Sequence, residues 1–130
     1  MMVDKETIHP KTVWTFIKED IELQIIRGVL RSADKVPSIS EIAESYDVSK
    51  TTAQKALEDM FSEGTITKRK GVGYFVIPYT KERLRAKHKL VLINMFNDCL
   101  LYAEKLDLTK DDAEEIKSLI AQRLDTISSR

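Results

Sequence analysis

The stretch PSISEIAESYDVSKTTAQKALEDMFSEGTITKRKGVGYFV, residues 37–76, decides how this chain is read. Ser38 follows Pro37, and Glu41 stands three residues on, the spacing of a capping box. Ile39, Ile42, Ala43 and Tyr46 then supply the apolar side of a short helix. Asp47 and Val48 make a tight turn. Ser49 caps another helix, whose buried side, Ala53, Ala56, Leu57, Met60 and Phe61, keeps helical spacing. Gly64 closes that helix in the left-handed conformation that glycine adopts at little cost. Residues 65–69 and 72–77 read as two strands, with Lys70-Gly71 as the hairpin turn between them.

Outward from this stretch the pattern stays helical. Upstream, from Lys11, Val13, Trp14, Phe16, Ile17, Ile21 and Ile25 recur in steps of three and four, a helix reaching about residue 30. Gly28 weakens its last turn, and the segment RSADKVP breaks it. Trp14, Phe16, Phe61, Tyr74 and Phe75 sit at core-pattern positions and read as packing residues. Downstream, Pro78 ends the second strand and a long helix runs from Thr80 to Lys105 or Leu106. Its apolar stripe, Leu84, Val91, Leu92, Met95, Cys99 and Tyr102, is close to a heptad seam. Thr109 and Asp112 signal another cap. The last helix covers about 110–127, with Ala113, Ile116, Leu119, Ile120, Leu124 and Ile127 inward.

The fold class is therefore mainly α with a small β-hairpin. A winged helix-turn-helix domain is expected over residues 11–79 and a two-helix dimerisation tail over 80–130. Two amphipathic helices cannot bury both faces alone, so a second copy is the natural partner.

Composition removes other classes. The 130 residues are 42% hydrophobic and 32% charged, the balance of a globular protein. The lone Cys99 excludes an intrachain disulfide framework or a multi-cysteine zinc site. No apolar run is long enough to span a bilayer and no apolar leader opens the chain, so a cytoplasmic protein is expected. No nucleophile stands near a plausible base, and there is no metal cluster or phosphate loop. Gly71-Val72-Gly73 precedes a strand, not the helix that a dinucleotide site needs. An enzyme is not expected, nor a metal or cofactor. His88, between Lys87 and Lys89, reads as a solvated surface residue.

The 21 basic and 21 acidic residues cancel, yet residues 68–89 hold eight Lys/Arg against the single acid Glu82. A polyanion sees such a stripe, not the net charge. In the helix-turn-helix order, the second helix enters the major groove N-terminus first. Here that end reads Ser49-Lys50-Thr51-Thr52, with Gln54 and Lys55 in the next turn. Short hydroxyls suit phosphate, Lys suits phosphate or guanine acceptors, and Gln suits an adenine edge. Arg69, Lys70 and Gly71 form a cationic wing tip for the backbone or minor groove.

The ordered set of motifs resembles the GntR transcription regulators. It runs Pro37-Ser38, Glu41-Ile42-Ala43, Val48-Ser49-Lys50-Thr51-Thr52, Ala56-Leu57, Gly64-Thr65-Ile66 and Gly71-Val72-Gly73-Tyr74-Phe75-Val76. The resemblance spans about residues 11–78 without gaps. It implies DNA contact by Ser49, Lys50, Thr51, Thr52 and Gln54, and by Lys70 with Gly71. Three positions depart from the family pattern. Ser40 and Lys50 stand where arginine is usual, and Ser32-Ala33-Asp34 replaces Pro-Gly-Asp. Lysine cannot give guanine the bidentate fork of arginine, so operator sequence and affinity are affected. The short remainder looks like the YtrA type, whose tail is a helical dimerisation unit. The resemblance implies a bacterial, dimeric repressor on a palindromic operator, with room for a small-molecule effector of unidentified chemistry. A winged-helix protein-interaction module and a non-specific architectural DNA binder remain the alternatives.

Overall fold

A computed structural model describes residues 12–129, so the sequence-based helix start at Lys11 lies outside it. Seven elements follow in order: α1 (Val13–Ile26), α2 (Ile39–Ser45), α3 (Lys50–Ser62), β1 (Ile66–Arg69), β2 (Gly73–Val76), α4 (Thr80–Glu104) and α5 (Lys110–Ser128). The mainly helical architecture with one antiparallel hairpin is the fold class that the patterning implies.

The caps act as the sequence indicates. Ser38 Oγ accepts from the Glu41 N–H at 3.1 Å, and Glu41 accepts from the Ser38 N–H at 3.1 Å. Those bonds hold the Glu41 carboxyl below its ordinary range. Thr109 and Asp112 form the same reciprocal pair at the start of α5. Helix α1 stops at Ile26, earlier than its apolar pattern suggests. Gly28 turns the chain with φ +78°, which leaves Val29 outside the helix and exposed.

The chain forms two compact units, the first ending at His88 and the second beginning at Lys89. The two units divide within α4. The core of the first unit joins Ile17, Ile21 and Ile25 of α1 to Ile42 of α2 and to Ala53, Ala56, Leu57 and Met60 of α3. Burying each large aliphatic side chain stabilises the fold by about 1.5–3 kcal/mol before ordering entropy is counted. Leu84, placed by its spacing in the dimerisation stripe, is instead fully buried in this core. Its helical turn lies on the first unit, so its side chain is committed within its own chain.

The wing differs from the expected hairpin in two ways. Its turn includes Val72, so β2 starts at Gly73, which is paired with Arg69. Residues 33–36, read as a simple helix break, also line β2. The Ala33 N–H donates to the Val76 carbonyl, Val76 N–H to the Asp34 carbonyl and Val36 N–H to the Tyr74 carbonyl, each at 2.9 Å. Val36 closes the core from that side.

Two aromatic expectations fail. Phe16 is 65% exposed and Phe61 49% exposed. Phe16 lines an open groove with Val13, Leu23 and Tyr46, while Phe61 meets Tyr74 edge-on at 6.3 Å. Tyr74 is buried, and Trp14 and Phe75 are half-buried.

In the second unit, the expected inward face of α5 is mostly bare. Ala113 and Ile120 are half-buried, whereas Ile116, Leu119, Leu124 and Ile127 are exposed. Val91, Leu92, Met95, Cys99 and Tyr102 of α4 are exposed too. Among the described residues, none covers these side chains.

Candidate nucleic-acid interface

The helix-turn-helix is built from α2, a four-residue link and α3. Asp47 carries the link with φ +51°, a left-handed position that aspartate tolerates better than most residues. The Val48 N–H donates to the Ala43 carbonyl at 3.0 Å, which tightens the turn. Ser49 then caps α3, its Oγ accepting from the Thr52 N–H at 3.1 Å and lying 2.9 Å from the Thr52 hydroxyl. The buried stripe of α3 holds the helix on α1 and α2, and its N-terminal end faces solvent.

The predicted site residues therefore divide. Lys50 and Thr51 are exposed and, among the described residues, their side chains have no protein partner. Thr52 is half-buried and engaged with Ser49. Gln54 donates to Glu58 at 2.8 Å, so its amide must be released before it could reach a base edge. Lys55 lies over the Trp14 ring at 5.1 Å, a cation–π contact that supports the helix as well as charging its surface. On the wing, Arg69 stacks on Phe75 at 4.4 Å and Lys68 on Tyr74 at 5.7 Å. Lys70 and Gly71 form the exposed tip, Gly71 with φ +77°. An exposed helix N-terminus, offering unpaired N–H groups and a cation, stands in one unit with a cationic hairpin. That unit can grip a polyanion through the backbone and a base edge through side chains.

The basic stretch 68–89 is not one solvated stripe. Arg83 donates to the Thr65 hydroxyl at 3.2 Å, and Arg85 pairs with Glu82 at 3.3 Å. Lys87 and His88 turn inward to the buried carboxylate of Glu22. His88 is thus not the free surface residue that its lysine neighbours suggest. Lys18, also buried, pairs with Asp59 at 2.6 Å and with Glu63. Burial pulls the Lys18 ammonium down, but its bonds to these carboxylates outweigh it and the net shift is upward. The hydrogen bond from Lys18 holds Asp59 below its usual range. The i, i+4 step from Lys18 to Glu22 places both on one face of α1, but nothing local marks that face as charged and buried.

Residues 15–76 match the family described as bacterial regulatory proteins, gntR family. That likeness covers just under half of the chain. The arabinose metabolism transcriptional repressor of Halalkalibacterium halodurans is 29% identical over 73 residues, 56% of this chain. The chain spans only 20% of that relative's length. The crystal structure of the AraR DNA-binding domain in complex with operator ORX1 is 28% identical, with a TM-score of 0.51 over 58% of this chain and 89% of that one. A transcriptional regulator from Oenococcus oeni shares the fold almost end to end, with a TM-score of 0.72 over 93% of this chain and 97% of that one at 17% identity. The GntR likeness read from the motifs is borne out, and the relatives are regulators of transcription and not enzymes. Among the described residues no helix is long and apolar enough to cross a membrane.

Proposed function

We propose that the chain is a dimeric transcription regulator, a repressor of the YtrA type, that binds a palindromic operator. The observation that supports it is the free N-terminus of α3, with Lys50 and Thr51 unengaged, beside the cationic wing in a region that matches the GntR family. Lys50 would reach a phosphate or guanine edge. Ser49 and Thr52 would give backbone-directed hydroxyls, with Thr51 at the phosphates and Gln54 swinging from Glu58 to a base. Lys55, Arg69, Lys70 and Gly71 would complete the footprint. The bare apolar stripe Val91, Leu92, Met95, Cys99 and Tyr102, with the exposed residues of α5, would close against a second copy. Two recognition helices would then meet two half-sites. A small-molecule effector would act by shifting the relative angle of the two DNA-binding domains.

Fluorescence anisotropy tests this reading. Labelled DNA from upstream of the protein's own gene is compared with a scrambled duplex at two salt concentrations. The wild type should prefer the native duplex, and Lys50→Ala should weaken that binding by about 1–3 kcal/mol, the size of one good base contact. Lys70→Ala should weaken both duplexes alike and lower the salt slope by about one. Equal binding to both duplexes would favour an architectural binder. No binding at either salt would favour a protein-interaction module.

A further inference from the structure

Helix α1 carries two stripes, and the core uses only one. Ile17, Ile21 and Ile25 recur at every fourth residue and are buried. Val13, Phe16, Asp20 and Leu23 follow one another in steps of three, four and three, which places them on a second face of the same helix. The three apolar members of that face stand exposed. Asp20 is also exposed, so a carboxylate sits in the middle of an otherwise apolar stripe.

With Tyr46, which caps the C-terminus of α2, this face lines a groove of about 500 Å³ inside the first unit. Small-molecule sites span about 300–1,000 Å³ and combine apolar and aromatic walls with a few polar groups. Phe16 and Tyr46 supply rings, Val13 and Leu23 supply aliphatic walls, and Glu19 and Asp20 supply carboxylates. The Tyr46 hydroxyl donates to Asp20 Oδ2, which fixes that carboxylate beside the tyrosine. Among the described residues, no Lys, Arg or His lines the groove.

Charge decides what fits. Two carboxylates repel a polyanion or an anionic metabolite. An apolar face of a second copy would strip water from Asp20 and supply no cation in return. An organic cation meets both needs. Its hydrocarbon body covers Phe16, Val13 and Leu23, and its charge lies against ring faces and a carboxylate, the chemistry by which quaternary ammonium groups are recognised.

We propose that this groove binds a small lipophilic organic cation, an ammonium group on an aryl or alkyl body. The site lies within the first unit and depends neither on a dimer nor on DNA. Tyr46 immediately precedes Asp47, which carries the link to α3, so the ligand would sit beside the turn of the helix-turn-helix. The effector role that this position suggests rests on the regulator reading above; the binding site does not.

The test is calorimetric titration of the full chain with 4-phenylbutyltrimethylammonium, with 4-phenylbutanol and 4-phenylbutyrate as its neutral and anionic counterparts. Amide NMR shifts locate the contact. The cation should bind about tenfold more tightly than the alcohol, and the carboxylate most weakly. Shifts should centre on residues 13–23 and Tyr46. Asp20→Asn still accepts from Tyr46 and should fold, yet weaken the cation about fivefold and leave the alcohol unchanged. Phe16→Ala changes an exposed side chain and should weaken cation and alcohol alike. Leu119→Ala, in the second unit, should change neither. Equal affinity for the three probes, shifts confined to the second unit, or cation binding that Asp20→Asn leaves intact would overturn the proposal. So would cation binding that fades as protein concentration rises, because a second copy would then be the occupant. Cation binding by a chain that ignores DNA would uphold the site and remove only its regulatory consequence.

Discussion

The two units of this chain solve the burial problem differently. In the first, α1, α2, α3, the wing and the first turns of α4 surround one apolar core, and every buried side-chain polar atom described has a partner. In the second, α5 has no buried residue, and the apolar side chains of α4 from Leu90 to Tyr102 stand exposed. Apolar periodicity of equal quality thus has two meanings. Where the chain folds back on it, the stripe becomes core; in the described residues of the second unit it stands exposed.

Substitutions sharpen the contrast. Leu57→Ala, fully buried in α3, should cost about 2–5 kcal/mol, measured by denaturant unfolding. Leu119→Ala, 64% exposed on α5, should lower the melting temperature only at protein concentrations where copies associate. Equal, concentration-independent losses would erase the distinction. Next in size is the cap of the recognition helix, where Ser49→Ala should cost about 1 kcal/mol. It should also weaken DNA binding, seen by anisotropy, because it frays the reading end. Ala33 has φ +69° where a glycine would be unstrained. Ala33→Gly should raise stability by up to about 1 kcal/mol, the left-handed penalty less the added freedom of the unfolded chain. A loss would mean that the segment beside β2 relaxes without the glycine.

The last effect is electrostatic and confined to high pH. Burial, with the hydrogen bond to Asp20, pushes the Tyr46 hydroxyl from 10.0 up to about 12. A raised folded-state value means the contribution is complete below pH 10 and is lost as pH rises toward 12. Melting temperature should therefore fall across that window in wild type more than in Tyr46→Phe.

Much of this was legible in the sequence because its signals are local. Both capping boxes, the Ser49 cap and the glycine turn at Gly64 each occupy a few consecutive residues, and each forms as the spacing dictates. The exposed Lys50 and Lys70 were legible for the same reason. The rest depends on distant partners. Glu22 meets Lys87 and His88 across more than sixty residues, and no periodicity marks a carboxylate for burial. The strand-like course of residues 33–36 draws on β2, not on its own composition. Leu84 continues the α4 stripe without a break in spacing, so only the contact with the first core separates it from Val91 and Leu92. Phe16 and Phe61 fit their helical patterns, but both fall at the margin of the buried face.

The most direct measurement is sedimentation equilibrium of the full chain across micromolar concentrations. A first unit with its own core, joined to a helical unit that a second copy completes, should sediment as a species of twice 14.9 kDa that dissociates on dilution. A single species of 14.9 kDa at every concentration would contradict it.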